Sequence, residues 1–365
     1  MHNPRNIFLA LLLVTFLISP ALAQEVHQDV REVVRARVIE IISETEEFHE
    51  GLDLTSKVQL IKAEILEGSK QGEVVEVESD FFHLEEGDVF FMNYLITING
   101  HELYTISEPD RGPTLIIFTL LFVAAVVIFG RWQGVRALLS LVASFFIILY
   151  LLVPQLMLGA PPIITSIGLS ILILAVAMSI THGINRKTIA AFLGTMFAII
   201  FTGILGWVGV KYAQFSGYTS DDVVYLNLGT GGELNLSGLF LGAIIIGALG
   251  LLDDIAITQA AAVKEFLDSK ISRKETYKKA MRIGREHVGA LVNTLALAYA
   301  GASLPLLLLF SMSESPLALI LNREIFASEI IRTIVGSIGL VLTVPITTLI
   351  ATILLAKKGE GDRSK

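Results

Sequence analysis

The stretch "PTLIIFTLLFVAAVVIFG" (113–130) decides the fold class, because its 18 residues include no ionisable side chain. As a helix, an apolar run of about 18 to 25 residues crosses the ~30 Å hydrocarbon layer and satisfies its own backbone hydrogen bonds. Six further apolar runs follow it, near 135–153, 163–181, 188–210, 237–258, 288–310 and 330–355. The sequence therefore predicts a polytopic α-helical membrane bundle of seven spans within residues 112–356.

Composition supports a membrane protein and excludes several kinds of chemistry. The chain has 365 residues, 53% of them hydrophobic, which is too apolar for a soluble domain of this length. It contains no cysteine, which excludes disulfides, thiolate metal sites and cysteine nucleophiles.

The N-terminus has the pattern of a secretory signal peptide. Arg5 precedes an apolar segment, Ile7–Ile18, and Ala21-Leu22-Ala23 fits a small-residue cleavage site. We predict a signal peptide at 1–23. The alternative is an uncleaved anchor helix, for which about twelve apolar residues are short.

Residues 24–111 form a separate acidic region. They carry 21 acidic side chains and seven Lys or Arg, a net charge of −14 against −8 for the whole chain. Segments rich in β-branched and alternating apolar residues recur through it, at 29–42, 57–66, 73–79 and 84–100. They predict a small extracytoplasmic β domain, an OB-like or SH3-like barrel or sandwich. Its role stays open between binding a ligand or protein partner and serving as an inert module.

Loop charges orient the spans through the positive-inside rule. With 24–111 outside, the inward loops and tail carry 16 Lys or Arg, eight of them in 259–287 and four in 357–365. The outward loops carry two, Lys211 and Arg323. We predict a multi-pass protein of the cell (cytoplasmic) membrane whose N-terminal domain is outside and whose tail, 357–365, is cytoplasmic.

The basic segment 259–287 has a helical pattern of apolar residues interleaved with Lys and Arg. We expect a cytoplasmic basic helix held on the inner membrane surface by anionic lipid. Because spans adjoin it on both sides, this role is favoured over nucleic-acid binding, and no nucleic-acid partner is expected.

The sharpest functional signal is in the fifth span, "NLSGLFLGAIIIGALGLLDDIAIT" (235–258). Intervals of four, three, four and four residues place a set of mostly small side chains on one helix face: Ala243, Gly247, Gly250, Asp254 and Thr258. Small residues favour close helix contact, so we expect this face, and Asp254 with it, to point into the bundle. Asp253 lies about 100° away, below Leu249 and Ile246, and is expected to face outward.

The sixth span offers a partner, since Asn293 is expected at the depth of Asp254 in an antiparallel neighbour. Other polar residues end or begin spans on the same side: His182, Asn185, Glu265, Glu286 and His287. Carboxylate, amide and hydroxyl oxygens suit an ion or proton site. The alternative is that Asp254 only fixes helix packing. On the ion-site hypothesis, Asp254→Asn abolishes activity and Asp253→Asn is milder.

The seventh span begins with Glu329 and Arg332, whose spacing allows them to pair on one face. Pro345 removes a backbone hydrogen bond inside this span and predicts a kink. We class these residues, with Gly247 and Gly250, as packing or support. The sequence leaves open whether any metal binds, and no cofactor is expected.

Several long segments resemble the YibE/F family of bacterial membrane proteins: "GALGLLDDIAITQAAAVKEF" (247–266), "NTLALAYAGASLP" (293–305), "ASEIIRTIVGSIGLVLTVPITTLIA" (327–351) and "HGINRKTIAAFLGT" (182–195). The resemblance covers nearly the whole mature chain, including the β-rich region. The family pattern has one Asp in the span-five motif; Asp254 matches it and Asp253 is the departure. The resemblance implies no established activity.

Three classes of function remain. The favoured one is a transporter or permease of unidentified substrate, acting on a small ion or solute through Asp254 and Asn293. The second is a structural or accessory membrane protein whose β domain binds a partner outside. An intramembrane enzyme is least favoured, because the sequence has no HExxH, Gly-x-Ser-x-Gly or Walker lysine motif.

Overall fold

The computed structural model describes residues 30–49, 54–96 and 101–356. The predicted signal peptide (1–23) and tail (357–365) lie outside these ranges. The chain divides into two compact units, the first ending at Leu121 and the second starting at Phe122.

The first unit contains an antiparallel β half-barrel with strand order β3-β2-β1-β4-β5. Its strands are β1 (Val30–His49), β2 (Leu54–Ile65), β3 (Val74–Ser79), β4 (Val89–Ile96) and β5 (Glu102–Pro109). The register pairs Val34 with Met92 and Ala36 with Phe90, and all four side chains are buried. The alternation of apolar and polar residues in β1 thus places one face in the core.

Curvature comes from the long first strand. Its pairing with β2 shifts register between Val38 and Glu40 and again between Ile41 and Ser43. Such irregularities bend a strand and increase its twist. The edge strands β3 and β5 contact each other as a result. The sequence prediction of a β domain is confirmed as a half-barrel, which is coarser than the predicted OB-like or SH3-like type, and β5 was not among the predicted strands.

A lysine joins the β2–β3 turn to β4 and β5. Lys70 Nζ lies 2.6 Å from Glu102 Oε2, 3.1 Å from the Tyr104 hydroxyl and 4.9 Å from the centre of the Tyr94 ring. Both tyrosine hydroxyls donate to Glu102, at 3.1 and 2.9 Å, and their rings stack with centroids 5.2 Å apart. We call these four residues the Lys70 box.

The rest of the described chain is helical. Its helices are α1 (Gly112–Ile147), α2 (Val153–Met157), α3 (Pro162–His182), α4 (Arg186–Tyr212), α5 (Asp221–Gly229), α6 (Leu236–Asp268), α7 (Arg273–Ala302), α8 (Leu304–Met312), α9 (Leu317–Asn322) and α10 (Glu324–Leu355). A π-helical turn, Ile148–Leu152, joins α1 to α2.

Five helical stretches are long and apolar enough to cross a membrane, or six if α7 and α8, bent by 68°, count as one span. The sequence predicts seven. One part of the difference is the bent pair α7 and α8, and the other is Gly112–Met157, a stretch of 46 residues that holds both the first and the second predicted runs.

That stretch breaks sharply at Arg131, whose φ of 49° and ψ of −135° are not helical. Val126 and Gly134 are eight residues apart, a separation of about 12 Å in an unbroken helix. A Cβ added to Gly134 would nevertheless collide with the carbonyl oxygen of Val126. The chain therefore turns back on itself at Arg131, and only glycine fits at position 134.

The second unit packs α3, α4, α6, α7 and α10 around one apolar core. Helices α4 and α10 approach each other closely. A Cβ at Gly194 would collide with the Thr347 side chain, and one at Gly339 would collide with Thr202. Small residues allow such approach between membrane helices.

The basic segment differs from its prediction. Residues 259–268 continue α6, residues 269–272 form a turn, and Arg273 starts α7. The segment is therefore a helical hairpin rather than a separate surface helix. Its inner face is anchored, because Ala260, Val263 and Ala280 are fully buried.

Candidate functional site

Helix α6 carries the residues that the sequence singles out. The Asn235 side chain caps its start by accepting a hydrogen bond from the Gly238 amide at 2.9 Å. The stripe that faces the core combines large apolar side chains, such as Ile245, Leu252 and Ile255, with buried small residues such as Gly242 and Ala256. This stripe packs against α3, α4 and α10.

The predicted orientation of α6 is wrong. The five residues of the small face are all exposed in this chain: Ala243, Gly247, Gly250, Asp254 and Thr258. Leu249 and Ile246, expected outside, are buried and half-buried. The opposite face fills the core instead, because its large side chains pack densely and its own glycine, Gly242, allows close contact with Ser166 of α3.

Asp253 is the more enclosed of the two adjacent carboxylates. Its side chain is half-buried, and Oδ1 is shielded from solvent with no hydrogen-bond partner among the described residues. The Asp253 and Asp254 carboxylates lie close enough to repel each other. A buried oxygen without a partner is rare and calls for an explanation.

A histidine on α3, His182, interacts with Asp254. It is half-buried at the end of α3 and close enough to Asp254 for an attractive electrostatic interaction when the imidazole is protonated. Lys187, at the start of α4, also acts on His182 electrostatically. We call the two aspartates, Asp253 and Asp254, the α6 acidic cluster. The described residues contain no group of three or more His, Asp or Glu side chains placed to hold a metal ion.

Two of the predicted ligands are not assembled with Asp254. Asn293 is exposed on α7, and among the described residues no hydrogen bond joins it to Asp254. The Thr258 hydroxyl donates to the main-chain carbonyl of Asp254 at 2.8 Å, so its proton is committed to the helix backbone.

The support residues form contacts of their own. The expected pairing in the seventh run is present, with Arg332 NH1 2.8 Å from Glu329 Oε1. Ser303 donates to Glu329 at 3.3 Å, and the Arg332 guanidinium lies 5.3 Å from the centre of the Phe240 ring. The pair thus links α6, α10 and the α7–α8 junction.

The other support residues, Gly247, Gly250 and Pro345, differ in their surroundings. A Cβ on Gly247 would lie 3.0 Å from the Tyr299 hydroxyl, whereas one on Gly250 would meet nothing within 4 Å. Pro345 lies inside α10, which continues through it to Leu355. The nearby Thr343 and Thr348 hydroxyls donate to Gly339 and Val344 carbonyls one turn earlier.

Sequence reasoning missed Gln259. This side chain is buried, and its Nε2 donates to the Ala280 carbonyl at 2.7 Å and to the Thr348 hydroxyl at 2.8 Å. It therefore fastens α6 to α7 and α10 one turn beyond the α6 acidic cluster. The signal was a lone amide in the apolar run "AITQAAAV" (256–263).

Comparison with known proteins identifies the family of this chain. A family model, described as YibE/F-like protein, matches residues 118–357. The chain belongs to the YibE/F-like family. The match starts after the β half-barrel, so the resemblance over that region stays a prediction. Searches of curated proteins and of solved structures gave no match. Family membership and the apolar helices together show a membrane protein.

Proposed function

We propose that this YibE/F-like protein is a membrane transporter or permease in which Asp253 and Asp254 take up a proton or a small monovalent cation. The observation that carries the proposal is the shielded, unpartnered Oδ1 of Asp253 in an apolar helix. A carboxylate in such surroundings is costly unless it is protonated or paired with a cation. Either ligand also relieves the repulsion from Asp254.

Small exposed residues on α6 lead toward this pair. One exposed strip of the helix surface has only small side chains and leads to Asp254; it consists of Ala243, Gly247 and Gly250. About seven residues, or ~10 Å of helix, separate Gly247 from Asp254. We propose that this strip borders a polar path rather than lipid, because a carboxylate facing hydrocarbon is strongly disfavoured.

The proposed topology has seven crossings. The break at Arg131 supports counting Gly112–Met157 as two crossings, since a straight helix of that length would extend about 69 Å. With the β half-barrel outside, the positive-inside rule then places the α6 acidic cluster toward the cytoplasm. The membrane concerned is the cytoplasmic membrane.

Ion flux into proteoliposomes tests the function. Full-length protein is reconstituted, and dissipation of imposed H⁺, Na⁺ and K⁺ gradients is recorded with fluorescent indicators. We expect flux of one of these ions, lowered at least about tenfold by Asp253→Asn, the effect of losing ~1.4 kcal/mol of ion-binding free energy. Asp254→Asn should lower it less, since Asp254 is more exposed.

Asp268→Asn is the matched control, because Asp268 is exposed at the end of the same helix. It should leave flux unchanged. The proposal fails if wild-type vesicles match protein-free vesicles for all three ions, or if Asp253→Asn matches the wild type.

A second candidate is the accessory protein whose β domain binds a partner. It is supported by apolar side chains exposed on β1, Val33, Ile39 and Ile42. In that case a Val33→Lys variant should lose a partner recovered by cross-linking in intact cells, and Asp253→Asn should not.

A further inference from the structure

A cavity of about 400 Å³ lies where α4 ends and α6 begins. Its polar lining comes from Lys211, Gln214, Asn235 and Ser237, and its apolar wall includes Trp207 and Leu241. In the predicted topology this is the outer end of the bundle. The size is within the range of small-molecule sites, roughly 300 to 1,000 Å³.

The polar groups of this cavity favour negative charge. Lys211 Nζ lies 5.0 Å from the centre of the Trp207 ring, and among the described residues it forms no ion pair. The lining includes no Asp or Glu. Lys211 is also one of only two basic residues in the predicted outward loops, where such residues are depleted.

Hydrogen-bond donors accompany the lysine. Asn235 Oδ1 accepts from the Ser237 hydroxyl at 3.0 Å and from the Gly238 amide, which leaves the Asn235 NH₂ group without a partner among the described residues. The first turn of α6 adds the partial positive charge of a 33-residue helix.

The rim of the cavity is fixed in place. Gln214 has a left-handed φ of 56°, a conformation that needs support in a residue other than glycine. The support comes from Glu324, which accepts from the Ser216 amide and hydroxyl at 3.1 and 2.6 Å and from the Gly217 amide at 2.5 Å. The Phe215 ring meets Phe240 edge-on at 5.7 Å.

We infer that this cavity binds an oxyanion, a carboxylate or phosphate group, with the attached apolar part against Trp207 and Leu241. Lys211 supplies the charge, and Asn235 with the start of α6 supplies donors. The oxyanion is the headgroup phosphate of an anionic lipid or the acidic group of a free solute. The inference is independent of the α6 acidic cluster.

Trp207 provides the readout. The chain has two tryptophans, so Trp132→Phe leaves Trp207 as the only one. This single-tryptophan protein, full-length in phosphatidylcholine nanodiscs, is titrated with butyrate and with glycerol phosphate, and with chloride at equal ionic strength. For the lipid source, quenching of Trp207 by brominated phosphatidylglycerol is compared with quenching by brominated phosphatidylcholine.

We expect a saturable change in Trp207 emission with a soluble oxyanion, or preferential quenching by the anionic lipid; the arm that responds identifies the source. Lys211→Gln should weaken the response at least about tenfold. Lys211→Arg, which keeps the charge, should retain it and excludes a folding defect. Lys278→Gln, at an exposed lysine of α7, should change nothing. The inference is overturned if neither arm differs from its chloride or phosphatidylcholine reference, or if Lys211→Gln responds like its parent.

Discussion

At the residue scale, the candidate site depends on two neighbouring carboxylates that the helix turns about 100° apart. The sequence drew attention to Asp254 before Asp253, although acids in an apolar run are costly wherever they point. It could not decide which one is enclosed. That depends on which stripe of α6 fills the core, and here Leu252 and Ile255 outweighed Gly247 and Gly250.

The Lys70 box predicts a pH dependence. The hydrogen bond from Lys70, and to a smaller extent the one from Tyr104, lowers the pKa of the Glu102 carboxyl below its ordinary value of 4.5. A carboxyl with a lowered folded-state pKa stabilises the fold above its unfolded pKa, and this stabilisation is lost as pH falls through the folded value. The half-barrel should therefore loosen at β5 as the pH drops below about 4.5.

Hydrogen–deuterium exchange of the β5 segment, Glu102–Pro109, measures this. Glu102→Gln should exchange faster than wild type at about pH 6, and the two should converge at lower pH. Glu108→Gln is the control, since its pair with Arg111 is exposed on both sides and exposed pairs contribute little. A constant difference between Glu102→Gln and wild type at all pH values would contradict the role of the carboxylate.

At the element scale, two of the apolar runs predicted helix positions closely. The run 163–181 became α3, which starts at Pro162, and the run 188–210 became α4, capped where the Asn185 side chain accepts from Thr188 N at 3.0 Å. The β5 strand was missed because "ELYTISEP" is short and weakly alternating. The helical hairpin with its turn at 269–272 was missed because the amphipathic pattern of the whole segment, 259–287, also fits a single surface helix.

Glycine packing between α4 and α10 yields a matched pair of variants. Gly194→Ala should destabilise the protein by about 1 to 3 kcal/mol, because the new methyl group overlaps Thr347, including its backbone. Gly250→Ala should be neutral or slightly stabilising, because a Cβ there meets nothing and alanine favours helix.

Thermal unfolding of both purified variants in detergent distinguishes these outcomes. A lower midpoint for Gly194→Ala alone supports the α4–α10 contact. Equal midpoints would mean that the two helices are not so closely packed.

At the scale of the whole molecule, the chain offers a direct test of the seven proposed crossings, since it has no native cysteine. Single cysteines are introduced at Phe81, Gly159, Ile184 and Lys270, and cells are treated with a membrane-impermeant maleimide. We expect labelling of Phe81→Cys and Gly159→Cys in intact cells, and of Ile184→Cys and Lys270→Cys only after permeabilisation. Labelling of Ile184→Cys in intact cells would refute the topology.

The central claim is that Asp253 binds a proton or cation, and it can be tested before any transported substrate is known. Purified protein is treated with dicyclohexylcarbodiimide, which prefers protonated carboxyls in apolar surroundings, and modification of Asp253 and Asp268 is followed by mass spectrometry. We predict modification of Asp253 several-fold faster than of Asp268, slowed about tenfold by a saturating monovalent cation or by raising the pH. Modification of Asp253 that is no faster than that of Asp268, or that responds to neither cation nor pH, would contradict the account.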